Sequence, residues 1–199
     1  MSFLAPKKGH SGLAPQRAGG AEAKTLPMEI WDWTKSTLVA VGVVLLLHRF
    51  GFYLSAVSGS SMQPTLQDGE WLLVNKAVTY MHEPRRGDVV IVSEPQEERA
   101  KTHPFLVKRV VAVAGDRVEV RGGLLWINGE ALTEAYADSP IEGSDMSAVT
   151  VAPGRLFVMG DNRHFGASSD SRAFGAVAVE SVQGRAEWIV WPPNQAGPL

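Results

Sequence analysis

Apolar and polar positions divide the chain into three regimes. Residues 1–27 show no apolar periodicity and are rich in Gly, Ala, Pro and Lys, a composition that predicts a disordered, solvated tail. Residues 28–56 change character abruptly. In "PMEIWDWTKSTLVAVGVVLLLHRFGFYLSAV" only Thr37 is polar across 37–47, His48 and Arg49 break the run, and 50–57 is apolar again apart from Ser55. The unbroken run is shorter than the roughly 18–20 residues of a spanning helix. A buried core helix, or the apolar part of a cleaved signal peptide, is therefore compatible with it. A single membrane anchor over 28–56 is the expectation, because Trp31 and Trp33 can mark one interface and Phe50, Phe52 and Tyr53 the other. Lys35 and Arg49 can reach water from its ends, and the rest of the chain offers no helical core to bury it.

Beyond residue 57 the pattern has the period of strands. "WLLVNKAVTY", "GDVVIVSE", "FLVKRVVAVAGD", "VEVRGGLLWINGEAL", "RLFVMGDN" and "AVAVESVQGRAEWIVW" are short, Val-rich and separated by Gly, Pro, Asp or Asn. Gly122-Gly123 and Asn128-Gly129 read as tight hairpin turns, and 133–148 as an irregular loop. The predicted fold is an antiparallel all-β domain over 57–115 and 153–192, with a smaller hairpin-containing β insertion at 116–152 and a tail at 193–199. Lys7, Lys8, Arg17, Lys24 and Lys35 precede the anchor, which favours an N-terminus inside the cell and the β domain on the outer face. Arg49 on the far side weakens that bias without reversing it.

Composition narrows the chemistry. At 199 residues and net charge −2, with no long basic run, the chain gives no support for a nucleic-acid surface. The absence of cysteine excludes disulfides, thiol nucleophiles and thiolate metal sites. Five scattered histidines form no H-E-x-x-H pair, and no phosphate-cradling glycine loop occurs, so neither a metal nor another cofactor is expected.

What is left is serine and lysine chemistry. "SAVSGSSMQPTLQDGEWLLVNK", residues 55–76, holds Ser58, Ser60 and Ser61 just ahead of a proline turn. A serine hydroxyl attacks a carbonyl only when a base removes its proton. A lysine can be that base if burial lowers its pKa. Lys108, on one face of its strand with Leu106, Val110 and Ala112, is the candidate. Strand parity alone leaves open which of Lys108 and Arg109 points to solvent. The third stretch, "VMGDNRHFGASSDSRAFG" at 158–175, reads as a polar turn in which Asp170 and Arg172 can pair.

In this order the three stretches resemble the type I signal peptidases, membrane-anchored serine proteases with a Ser–Lys dyad. The resemblance rests on Ser61-Met62-Gln63-Pro64-Thr65-Leu66, on Lys108-Arg109-Val110-Val111 with Gly115-Asp116, and on 160–163 with 168–172. "INGE" at 127–130 and "GRAEWIVWP" at 184–192 also look like family segments. The resemblance implies a coiled, barrel-like β fold, Ser61 as nucleophile and Lys108 as general base. It implies Ser168 as the residue that orients the lysine, Asp170 and Arg172 as a brace, and the Ser61 N–H as oxyanion donor. It further implies that Met62, Leu66 and Val107 help shape pockets for small residues at the −1 and −3 positions of an extended pre-protein segment. Two positions depart from the family pattern. Gly59 stands where some members carry a second oxyanion hydroxyl, and "HFGA" fills a gap that is shorter in the commonest pattern, so Ser169 could take the place of Ser168. Other compatible readings are a peptidase of the same type dedicated to one substrate, a non-catalytic membrane-tethered peptide-binding β module, and a hydrolase using His164 or His103.

Overall fold

The computed structural model describes residues 26–199, with side chains at 30–46 and from 51 onward. The expected tail at 1–27 lies outside the described residues except for its last two. A 25-residue helix, α1 (Leu26–Phe50), opens the described chain. Its apolar side chains, among them Ile30, Leu38, Val39 and Leu45, are exposed, as are Trp31 and Trp33. The Lys35 ammonium sits 5.1 Å from the centre of the Trp31 ring. Among the described residues no helix is long and apolar enough to cross a membrane. The flanking Arg49 and Phe50 side chains lie outside the described set.

Expectation and structure differ over 52–56. The helix stops at Phe50, and Phe52–Ala56 forms a strand with alternating exposure, Tyr53 and Ser55 half-buried between exposed neighbours. Hydropathy alone merged this strand with the helix before it, because both are apolar.

The strands follow in chain order: β1 (Phe52–Ala56), β2 (Trp71–Asn75), β3 (Val89–Ser93), β4 (Phe105–Val113), β5 (Arg117–Arg121), β6 (Leu124–Ile127), β7 (Glu130–Ala131), β8 (Met146–Thr150), β9 (Arg155–Met159), β10 (Val177–Ala178), β11 (Val182–Trp191) and β12 (Gly197–Pro198). The larger sheet runs β1-β2-β11-β3-β4-β9-β10, with β12 added on β11, and the smaller runs β7-β6-β5-β8. Every pairing in both sheets is antiparallel. The expected tail at 193–199 therefore ends in a short edge strand, on which the Leu199 N–H also reaches Glu187 O. A proline is tolerated there because an edge leaves one side without ladder bonds.

β3 explains why its sequence is Val-Val-Ile-Val without alternation. Val89 and Ile91 enter one core with Met62, Leu66, Leu72 and Val74, while Val90 and Val92 enter another with Val110, Val158 and Val182. A strand covered on both faces has no polar side to show. A third core joins the two sheets, with Val111, Phe157 and Met159 against Val118, Leu125 and Ile127. Gly122 and Gly123, at φ 60° and 75°, make the two-residue turn between β5 and β6. The 133–148 segment is less irregular than its composition predicts. Ile141 is buried in the third core and bonds Gly123 O, and 146–148 begin β8.

Candidate active site

The turn that carries Ser61 is held from below by its own apolar residues. Met62 and Leu66, 2% and 0% exposed, sink into the β2–β3 core and are joined by a Leu66 N–H to Met62 O bond of 2.9 Å. On the other flank the Gly59 N–H donates to Asp68 Oδ1 at 2.7 Å. Between these anchors Ser61 Oγ lies 2.5 Å from Lys108 Nζ, its only side-chain partner among the described residues.

Lys108 is delivered by β4, opposite Val90 of β3, and is 2% exposed. Burial is the main cause that lowers its pKa from 10.5 to about 8; Asp170, Glu94 and Asp161 oppose that shift, and Arg99 adds to it. The expectation that one of Lys108 and Arg109 faces solvent is corrected, since Arg109 is only 8% exposed. Its guanidinium donates to Asp161 at 2.9 and 2.7 Å and to Gly87 O at 2.8 Å, and it stacks 4.2 Å from the Tyr136 ring centre. A buried arginine is tolerable when its donors are used this fully.

The chain leaving β9 closes the site. Asp161, fully buried, also accepts from Thr65 Oγ1 at 2.6 Å. Arg109, Asp161 and Thr65 thus tie all three sequence boxes into one cluster. Asn162 holds the serine turn directly, its N–H on Ser61 O at 3.1 Å and its side-chain amide on Ser60 O at 3.0 Å. Gly160 is there because nothing larger fits: a Cβ would collide with Ser61 O and with the Ser168 side chain.

Asp170 and Arg172 form a two-pronged pair at 2.8 Å each, and Asp170 also accepts the Gly160 N–H at 3.2 Å. Burial raises the Asp170 pKa, but the Arg172 fork outweighs it and the net direction is downward. Ser168 Oγ is closed off from water beside Gly160, against the Asp170 carboxylate whose charge it helps to hold, and makes no hydrogen bond to Lys108. Val107 is half-buried against the core that contains Met62 and Leu66. Neither candidate histidine is a hydrogen-bond partner of the serine: His164 bonds Glu142 at 2.9 Å on an exposed surface, and His103 is exposed.

The sequence reads 158–175 as a polar turn and assigns no part in the site's ion pairs to Arg109, Asp161, Asn162 or Arg163. Arg163 is 0% exposed and forks onto Glu134 at 2.7 Å in both contacts. Tyr136 donates to the same carboxylate at 2.7 Å; burial, then Glu134, push its phenol above the usual range and keep it a donor. A sequence signal existed for Arg109, which follows Lys108 in a buried strand and so needs a buried partner. Glu134 and Tyr136 carried none.

A buried amine on a serine hydroxyl, framed by antiparallel strands, is the arrangement that fold and site define. The chain matches the family described as signal peptidase, peptidase S26, over residues 30–191. It is 38% identical over 172 residues to signal peptidase I of Bacillus amyloliquefaciens, covering 81% of this chain and 86% of that one. It is 37% identical over 174 residues to signal peptidase I T of Bacillus subtilis, covering 82% and 86%. A crystal structure of a signal peptidase I from Enterococcus faecalis is 30% identical, covers 52% of this chain and 97% of that one, and gives a TM-score of 0.43. The chain belongs to the signal peptidase family, peptidase S26, and is an enzyme of that family.

Proposed function

We propose that this chain is a membrane-bound serine endopeptidase that removes N-terminal signal peptides from exported pre-proteins, cutting after small residues in an A-x-A pattern. The observation that carries the proposal is the 2.5 Å contact of Ser61 Oγ with a lysine whose burial lowers its pKa to about 8. An amine of that pKa is neutral often enough near neutral pH to accept a proton.

In this reading Lys108 takes the Ser61 proton as Oγ attacks the scissile carbonyl. The Ser61 N–H, which makes no hydrogen bond within the described chain, faces the developing oxyanion. Lys108 then returns the proton to the leaving amine, and an ester to Ser61 remains. A water deprotonated by the same amine attacks the ester, the serine recovers its proton, and the acid product leaves. Gly59 adds no side-chain donor to the hole, and its φ of 94° disfavours any residue that would. The Asp170–Arg172 pair fixes the chain around Gly160 and Ser168. Ser168, packed beside Gly160 and Asp170, is the hydroxyl that orients the lysine in this reading.

Substrate entry is supported by the strand ladder. β4 pairs with β9 only from Arg109 onward, so 105–108 keep an open edge on that side, leading to Lys108. An extended pre-protein segment adds there as a further strand. Val107 lines that edge, and Met62 and Leu66 form the firm base beneath the serine turn that keeps the pockets shallow.

The partners are thus signal-peptide-bearing pre-proteins and a lipid bilayer. The apolar face of α1 with Trp31 and Trp33 supports a single anchor, and the basic residues before it support an N-terminus inside and the β domain outside. The chemistry needs no cofactor. The test is cleavage of a pre-protein with an A-x-A site by the detergent-solubilised full chain. Ser61→Ala and Lys108→Ala should each lower the rate by at least about a thousandfold; unimpaired cleavage by either variant sinks the proposal.

A further inference from the structure

Glu94 is the buried charge for which the reaction above has no use. Its side chain is fully shielded from water, yet only Oε1 is hydrogen-bonded, to the Gln96 N–H at 3.1 Å. Oε2 has no hydrogen-bond partner among the described residues. Its cation, Arg99, stands off at 3.6 Å on a side chain that is 51% exposed. Buried carboxylates are normally matched by close, multiple hydrogen bonds, as Asp161 and Asp170 are here. Glu94 is half-matched.

Its position is as informative as its burial. β3 and β4 place Val90 opposite Lys108 and Val92 opposite Leu106. Glu94 follows Val92 by two residues and bonds Pro104 O through its N–H at 3.0 Å. The alternation therefore carries Glu94 onto the face that bears Lys108. Three paired carboxylates act on that amine: Asp170 with Arg172, Glu94 with Arg99, and Asp161 with Arg109. Asp170 acts most strongly and Glu94 next, and Arg99 is the cation that opposes them.

We propose that Glu94 and Arg99 are positioning residues for the Lys108 amine: the buried, half-matched carboxylate and its stand-off guanidinium set the field on the face that bears it. This rests on the reading of Lys108 as general base. A carboxylate in a poorly solvated site favours a nearby ammonium, and a guanidinium opposes it. Both directions are those felt at Lys108. The pair offsets part of the desolvation, so the amine stays basic enough to take a proton from serine while being free often enough to act.

The test compares kcat/KM against pH for the full chain in detergent on an A-x-A peptide. Glu94→Gln should move the acid limb down by about half to one pH unit, raising kcat/KM well below the limb about three- to tenfold. Arg99→Gln should move the limb up. Opposite shifts are what a merely structural role would not give. Limbs that move in the same direction, or that stay put together with the Lys108 titration, overturn the proposal. The 13Cε shift of Lys108, assigned with Lys108→Ala, reads the same titration without turnover. If its midpoint moves in the two predicted directions while the kinetic limb does not, the tuning stands and the assignment of Lys108 as base falls.

Discussion

At Lys108 the base that the proposed mechanism needs and the stability of the fold oppose each other. A lysine that is 2% exposed forfeits hydration when charged, and no close carboxylate repays it. Its folded pKa of about 8 lies below the ordinary 10.5. Between those values the unfolded chain holds the proton that the folded chain has released, so this contribution to stability rises with pH across that window. Below pH 8 the full penalty applies. In a Ser61→Ala background, Lys108→Met should therefore stabilise the fold at pH 7 by about 3 kcal/mol. The gain should shrink as the pH approaches 10.5, and urea unfolding at pH 7 and 10 checks both the sign and the trend. A gain independent of pH would mean that Lys108 is not desolvated.

At the scale of elements, the site depends on how closely the end of β9 approaches the serine turn. Gly160 makes that approach possible, because a Cβ would meet Ser61 O, which is backbone and cannot swing aside. Gly160→Ala should leave the strands paired but push the serine turn away from Lys108, and a misplacement of about 1 Å costs on the order of a hundredfold in rate. The check is kcat/KM beside a far-ultraviolet circular dichroism spectrum, with lost activity and an unchanged spectrum expected. β4 contributes through its register. Its Lys108 end keeps an open edge, while Arg109 onward is locked to β9, so one strand offers both the edge on which the proposed substrate would pair and the core side of the site.

At the scale of the whole β body, two buried arginines tie the smaller sheet's loop to the serine-bearing turn. Arg163 bonds Gly160 O at 2.8 Å and forks onto Glu134, while Arg109 reaches Asp161 and Tyr136. Removing one carboxylate leaves a buried cation unmatched, so Glu134→Gln should destabilise the fold by about 3 kcal/mol. Urea unfolding of Glu134→Gln beside Glu142→Gln, whose partner His164 is exposed, separates a buried tie from a surface one. The surface pair should cost far less than the buried one.

The sequence by itself determined the antiparallel β character, the Gly122-Gly123 hairpin, and the pair of residues most worth placing together, Ser61 and Lys108. These follow from local causes: side chains alternate at period two, tight turns need glycine, and a polar residue inside an apolar strand stands out. It did not place the boundary between α1 and β1, since an apolar run reads alike as helix or strand. It read 158–175 only as a polar turn, because Asp, Asn and Arg are polar wherever they lie. Only the tertiary structure decided that Asp161, Arg163 and Asp170 are buried, that Glu134 and Tyr136 come from far along the chain to meet them, and that Lys108 and Arg109 are both inside. Burial and ion pairing depend on neighbours remote in sequence, and the site's electrostatics arise there.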